Sequence, residues 1–410
     1  MRISIDYHKP LLLCTVVLLF FCGGCGTQKA VGTETPNPTA AVSPSQEGKA
    51  DTTAPDSSAG AVSSPETDYY GDYLKTGGEV ALVIDCSSID DNGFNQAAYE
   101  GAKTYAQAAG VTYSYYSADE NTVDAYERAL MTAVENHAKL VICSGSHFEQ
   151  ALGSLQNAYP DIHFLILDGV PKDASDKELP IAPNVHCISY HEEEAGYLAG
   201  YMTVMDGYTK LGFIGGEKLP SVQRYGTGFL QGIDAAAKEL NIREEIIVDY
   251  GYADTFLPDK SIEEVSSQWY EEGTEVIFAC GGSIYESILT SAESCGGLLI
   301  GADTDHSSIS KLFLTSAMKE VRYSVIMTLD DYFASGNVWS ENLSGQTSTY
   351  GVSDKCIGLP VSENAWRFEK VSYSDYAVLL SRIKNGEIRI TSDNKSTPEI
   401  SIQVNYHNNL

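Results

Sequence analysis

The sequence predicts an α/β protein whose body is two similar lobes, each a mainly parallel sheet flanked by helices. Three observations predict it. Apolar runs such as EVALVID (79–85) and KLVICSG (139–145) are unbroken, as strands covered on both faces require. Amphipathic stretches with helical spacing follow such runs, as at 94–109 and 122–137. The series then opens again at KLGFIGG (210–216), and a body of about 330 residues is longer than one hydrophobic core usually grows.

The first segment, residues 1–24, reads as an export signal. Arg2 and Lys9 precede the apolar run LLLCTVVLLFFC (11–22), which is too short to span a bilayer comfortably. Gly23 and Gly24 directly before Cys25 resemble the lipobox of a bacterial lipoprotein, although Cys22 stands where Leu is usual. Such a cysteine is diacylated and becomes the new N-terminus, and two acyl chains give stable attachment. Cys25 is thus the expected lipidation site, on the extracytoplasmic face of the cell membrane. Residues 25–76 are then a lipid-anchored, disordered tether, rich in Ala, Pro, Ser and Thr and poor in large apolar side chains up to about position 66. Forty extended residues, at about 3.1 Å or more each, are long enough to hold the body about 100 Å from the bilayer.

The body, 77–410, continues through TYSYY (112–116), HFLILDG (163–169) and VHCISY (185–190), which with 79–85 and 139–145 build a first lobe over about 77–190 plus part of the C-terminal region. The runs 210–216, EIIVDYG (245–251), TEVIFACGG (274–282) and LLIGADT (298–304) build a second over about 209–335. Ligands of open α/β sheets sit beyond the carboxyl ends of the strands. Those ends are polar here: Asp85 with the loop 87–96, Ser144 to Glu149, Asp168, Gly215 and Gly216, Gly281 to Ser283, and Asp303 to Asp305. The expected site is the cleft between the lobes.

With 26 basic against 56 acidic residues and a formal net charge of −30, the surface argues against nucleic acid and anionic lipid as ligands. Cys86, Cys143, Cys187, Cys280, Cys295 and Cys356 show neither CxxC nor metal-ligand spacing, so neither a disulfide framework nor a metal site is expected.

Several segments together resemble the basic membrane protein family of ABC-transporter solute-binding lipoproteins, which includes the purine nucleoside receptor A type. They are DDNGFNQAAYEG (90–101), EEEAGYLAGY (192–201), KLGFIGG (210–216), QRYGTGFLQG (223–232), EVIFACGGS (275–283), IGADTDHSS (300–308), LTSAMKEV (314–321) and NGEIRI (385–390). The resemblance implies a type I periplasmic-binding-protein fold, two hinged lobes, and capture of a nucleoside for a membrane permease and its ATPase. It implies no cofactor. A monomer is expected.

The resemblance also implies roles. Phe94 matches a stacking aromatic, and Tyr225 falls where a second is usually Phe, so that two rings would sandwich a base. Asn95 matches a polar contact to the base or a ribose hydroxyl, its other reading being a helix cap. Asp303 and Lys319 match a carboxylate and an ammonium that grip the ribose diol by charge-assisted bonds. Gly281 and Gly282 are expected to let the backbone approach the sugar. One segment departs from the pattern. After Gly145 the chain runs Ser146, His147, Phe148, Glu149, Gln150, and either Glu149 or Gln150 would contact the base. His147 either reshapes the pocket or is an exposed histidine at a helix start.

Catalysis is not expected, since neither HExxH, GxSxG nor a Walker loop is present. Asp90–Asp91 and Glu192–Glu194 read as solvated loop and helix-start acids rather than a cation site. The other open readings are a sugar or signalling-molecule receptor on the same fold, which would not need the two rings, and a surface adhesin or sensor without transport.

Overall fold

A computed structural model describes residues 79–392, 399–408 and 410. The signal, Cys25 and the tether lie outside the described residues. The described chain is built on two sheets. The first contains β1 (Val80–Ile84), β2 (Tyr113–Ser117), β3 (Leu140–Ser144), β4 (His163–Leu167), β5 (Val185–Tyr190) and β11 (Gln346–Tyr350), in the order β11-β5-β4-β3-β1-β2, all parallel. The second contains β6 (Lys210–Gly215), β7 (Ile247–Tyr252), β8 (Val276–Cys280), β9 (Leu298–Asp303), β10 (Phe313–Lys319), β12 (Ile357–Gly358) and β13 (Gln403–Tyr406). Its order is β12-β10-β9-β8-β6-β7-β13, parallel except for β12. Strands β5-β4-β3-β1-β2 and β10-β9-β8-β6-β7 thus repeat one topology.

Helical returns follow β1, β2 and β3 in the first lobe, as α1 (Phe94–Ala109), α2 (Val123–Glu135) and α3 (Glu149–Leu155), and β6, β7 and β8 in the second, as α5 (Pro220–Leu240), α6 (Lys260–Glu271) and α7 (Tyr285–Cys295). The strands β1, β3 and β8 are buried at every position, which is why they read as continuous apolar runs.

The lobes exchange elements. After β5 the chain enters α4 (Glu192–Met205), which packs along α5 of the second lobe. After β10 it enters α8 (Val321–Ala334), which packs along α1 of the first. Residues 321–334 therefore belong with the first lobe, a correction to the 209–335 boundary. The chain crosses a third time between β11 and β12, and ends in α9 (Tyr373–Lys384) and β13. Three crossings side by side form a hinge.

The α4–α5 contact is unusually close because glycines interlock. A Cβ on Gly196 would lie 2.0 Å from the Tyr225 carbonyl oxygen, and one on Gly228 would lie 2.0 Å from the Glu193 carbonyl oxygen. That approach holds the start of α4, with Glu192, against the turn of α5 that carries Arg224 and Tyr225. The six cysteines of the body are free, and Cys143, Cys187, Cys280 and Cys356 are buried.

Candidate ligand-binding cleft

The carboxyl ends of both sheets face one cleft, lined from the first lobe by Asp85, Phe94, Asn95, Ser144, His147 and Asp168 and from the second by Tyr225, Phe256, Gly281, Gly282, Asp303 and Lys319, among others.

Local structure explains how each group arrives. Asp91 starts α1: its carboxylate accepts from the backbone N–H of Gly93 (2.8 Å), Asn95 (3.0 Å) and Gln96 (3.0 Å), satisfying donors that a helix start leaves free. Burial raises this carboxyl to about 6 against the pull of those three donors. With Asp91 as cap, Asn95 turns its side chain to the strand ends. Its amide donates to Asp85 Oδ1 (3.2 Å) and Ser87 Oγ (2.9 Å), and its oxygen accepts from Ser144 Oγ (2.7 Å). Asn95 lines the cleft as a clamp on three strand-end residues, and it is not the helix cap.

Lys319, at the end of β10, is 3% exposed. Its Nζ lies 2.6 Å from Asp168 Oδ2, 3.3 Å from Glu192 Oε1 and 3.5 Å from Asp303 Oδ1. The rings of Phe94, Tyr190 and Tyr225 surround the same ammonium, with centroids at 4.5, 5.1 and 5.8 Å. Burial alone would discharge it, but the three carboxylates outweigh burial and hold its pKa above the ordinary lysine value. Arg224 Nε donates to Glu192 Oε2 at 2.6 Å. Burial pushes Glu192 up, yet Arg224 and Lys319 prevail and keep it below its ordinary value.

Asp168, just after β4, and Asp303, the last residue of β9, have φ of +58° and +65°, left-handed conformations that Asp tolerates better than most residues. Burial pushes the Asp168 carboxyl up, and the Lys319 ammonium opposes that without cancelling it. Its Oδ1 is buried and makes no hydrogen bond. A cluster of three acids and two bases with one unpartnered carboxylate oxygen suits a ligand that donates, such as a diol or an amine, and repels an anion.

Of the residues expected at the site, Phe94, Asn95, Tyr225, Gly281, Gly282, Asp303 and Lys319 line the cleft together. Glu149 and Gln150 do not. Glu149 is tied to Lys172 Nζ (2.5 Å) and the Val170 N–H (3.1 Å), and Gln150 to Asp176 (2.8 Å). The turn at Gly145, with φ +107°, and the short 3-10 helix Ser146–Phe148 present His147 to the cleft instead.

Tyr225 departs from its expected part as a flat face. It is 2% exposed, packs edge-on to Phe278, and donates its hydroxyl to Asp303 Oδ1 at 3.1 Å. The cleft ring that sequence reasoning missed is Phe256, in the loop after β7. It covers Gly281 and Gly282: a Cβ on either would lie 2.7 Å from a Phe256 side-chain carbon. These glycines, at φ +119° and +54°, make room for Phe256. A lone aromatic in the strand-end loop ADTFLPD (253–259) was its sequence signal. Asp91, Glu192 and Glu193 are buried, not solvated as expected, because they cap α1 or pair with Lys319, Arg224 and His191.

Comparison with known proteins agrees with this architecture. Residues 79–394 match the model of the Bmp family, described as ABC transporter substrate-binding protein PnrA-like. The chain is 25% identical over 297 residues to the ABC transporter nucleoside-binding protein BmpA of Lactococcus lactis, covering 66% of this chain and 80% of that protein. It is 27% identical over 333 residues to basic membrane protein B of Borreliella burgdorferi, covering 79% and 90%. A solute-binding protein of an ABC transporter system from Aeropyrum pernix shares the fold with a TM-score of 0.65 at 17% identity, over 78% of this chain and 94% of that one. The family is one of extracytoplasmic solute-binding proteins that work with permease and ATPase subunits, not a class of enzymes, and no helix among the described residues is long and apolar enough to cross a membrane. The chain belongs to the Bmp family of PnrA-like substrate-binding proteins of ABC transporters.

Proposed function

We propose that the protein is a lipid-anchored receptor that captures a nucleoside, purines preferred, between its lobes and delivers it to a membrane permease. The anchor is the diacylated Cys25, and residues 25–76 are the tether. The observation that carries the reading is the pairing, in one cleft, of aromatic rings from both lobes with the buried Asp168–Lys319–Asp303 cluster. Phe94 and Phe256 offer the base its flat faces, in place of Phe94 and Tyr225. Asp303 and the free oxygen of Asp168 accept from hydroxyls or ring N–H groups, while the Lys319 ammonium beside them offsets their negative charge. The family name, PnrA-like, and the nucleoside-binding relative from Lactococcus lactis support the same ligand class.

Isothermal titration tests this on protein stripped of co-purified ligand by unfolding and refolding. Adenosine, guanosine, inosine, cytidine, uridine and ribose are titrated in turn. Nucleosides are expected to bind and ribose not to, with binding lost in Asp303→Ala. Binding of ribose alone would replace the nucleoside reading with a sugar receptor. Heat from none of the six, with a folded protein, would remove both.

A further inference from the structure

His147 is a departure from the family's motif, and it sits where the two lobes meet at the mouth of the cleft. It lines both the cleft and the outer groove beside Asn121, Gln150 and Lys172. Its ring stacks on Tyr126 of α2 with centroids 5.7 Å apart and meets the edge of Phe256 from the opposite lobe at 6.2 Å. Nε2 lies 2.9 Å from Glu217 Oε2, in the loop between β6 and α5 of the second lobe. Nδ1 lies 3.6 Å from Asp85 Oδ2 at the end of β1 in its own lobe. With a carboxylate at each ring nitrogen, the arrangement suits the imidazolium, in which both nitrogens donate.

We propose that His147 is a proton-controlled latch: as imidazolium it ties the first lobe to Glu217 of the second and holds the cleft closed, and on losing its proton it slackens the mouth and speeds ligand release.

The groups facing His147 are acidic from every side. Asp85 comes from β1, Glu149 from α3 and Glu217 from the second lobe, with Tyr126 from α2 as a neutral ring; the nearby cation Lys172 is bound to Glu149. Burial by itself lowers the imidazole, but the Glu217 bond and the charges of Glu217, Asp85 and Glu149 outweigh it and raise it. When the lobes part, Glu217 leaves and this elevation declines. A closed-state value above the open-state value means that the latch is fully engaged below the open-state value and is lost as pH rises through the closed-state one. Other inter-lobe contacts do not share this sign. Asn92 donates to Tyr285 (3.0 Å), which is neutral, and the Asp168–Lys319 pair strengthens as pH rises.

The release step rests on the nucleoside reading, whereas lobe closure does not, so the test reads them separately. Spin labels are placed at Glu135→Cys and Glu271→Cys, exposed positions on opposite lobes, in the full chain carrying Cys86→Ser and Cys295→Ser. The inter-lobe distance without ligand is measured at about pH 5.5 and about pH 8.5, either side of the imidazole range. The closed distance is expected to dominate at the lower pH and to decline at the higher. His147→Gln and Glu217→Gln are each expected to abolish that difference. Glu217 is a loop side chain 23% exposed, so its variant tests the latch even if His147→Gln fails to fold. Adenosine dissociation, followed in parallel, is expected to accelerate about tenfold at the higher pH in the parent alone, the share of one charge-assisted bond. A distance distribution that ignores pH, or a pH response that survives in both variants, overturns the latch. A distance response with no binding of any of the five nucleosides titrated above supports the latch and removes the nucleoside reading.

Discussion

Lys319 acts through the carboxylates that surround it. Its ammonium is shared among three buried carboxylates, and removing one partner from such a group leaves charges that neither water nor protein stabilises. Lys319→Met is therefore expected to cost about 3–5 kcal/mol of stability, read as a lowered denaturant midpoint with unchanged slope. Asp303→Asn keeps the shape and the acceptor oxygen while deleting one of the charges around Lys319. It is expected to leave the fold intact and to weaken nucleoside binding about tenfold or more, the loss of a charge-assisted bond, measured by titration. Near-equal damage to folding from both would mean that Asp303 serves the fold rather than the ligand. Phe94, Asp303 and Lys319 were legible because each stands in a segment whose neighbours fix its direction: a helix start, or the last residue of a strand. Tyr225 was not, because a helical position reveals the face but not the partner, and its hydroxyl found Asp303. Glu149 and Gln150 lie outside the cleft because the turn at Gly145 and the 3-10 helix after it re-aim the chain, and no residue pattern announces that rotation.

The interlocked glycines of α4 and α5 decide whether Glu192, Arg224 and Tyr225 stay in register. Gly→Ala inside a helix ordinarily stabilises by about 1 kcal/mol. At Gly228 the new methyl would meet the Glu193 carbonyl oxygen at 2.0 Å, so the helices must separate. Gly228→Ala is expected to destabilise by about 1–3 kcal/mol and to weaken ligand binding, whereas Gly110→Ala, with open space around its Cβ but φ of +71°, is expected to leave binding unchanged. Paired thermal melts and titrations distinguish the two. The same scale explains which elements could be read. Strands β1, β3, β4, β5, β6, β8 and β9 are buried apolar runs and fell where expected, and β7 starts two residues later than its run. The strand β10, with Thr315 and Ser316 inside it, and the strand β11, QTSTY, carry polar residues. Edge strands such as β11 need cover on fewer sides, so no continuous apolar run marks them.

At the scale of the whole molecule, three crossings at the hinge allow the lobes to part, and a ligand favours the closed form only by as much as it adds more to that form than to the open one. In this cleft that increment must come from a donor-rich ligand, because Asp168, Glu192 and Asp303 outnumber Lys319 and Arg224 and Asp168 still has a free oxygen. Beyond the cluster, Asp85, Asp91 and Glu217 add more carboxylates, and the chain as a whole carries −30. A phosphate adds about two negative charges to a nucleoside, and every part of this field opposes them. Adenosine monophosphate is thus expected to bind at least about 100-fold more weakly than adenosine, since like charges brought together cost several kcal/mol. The part of that penalty owed to long-range repulsion should shrink in high salt, because screening reaches exposed charges and not the buried cluster. Titration of both ligands at low and high salt measures each share. Equal affinities would mean that a cation outside this cluster meets the phosphate. A gap that salt abolishes entirely would place the discrimination on the acidic surface and not in the cleft.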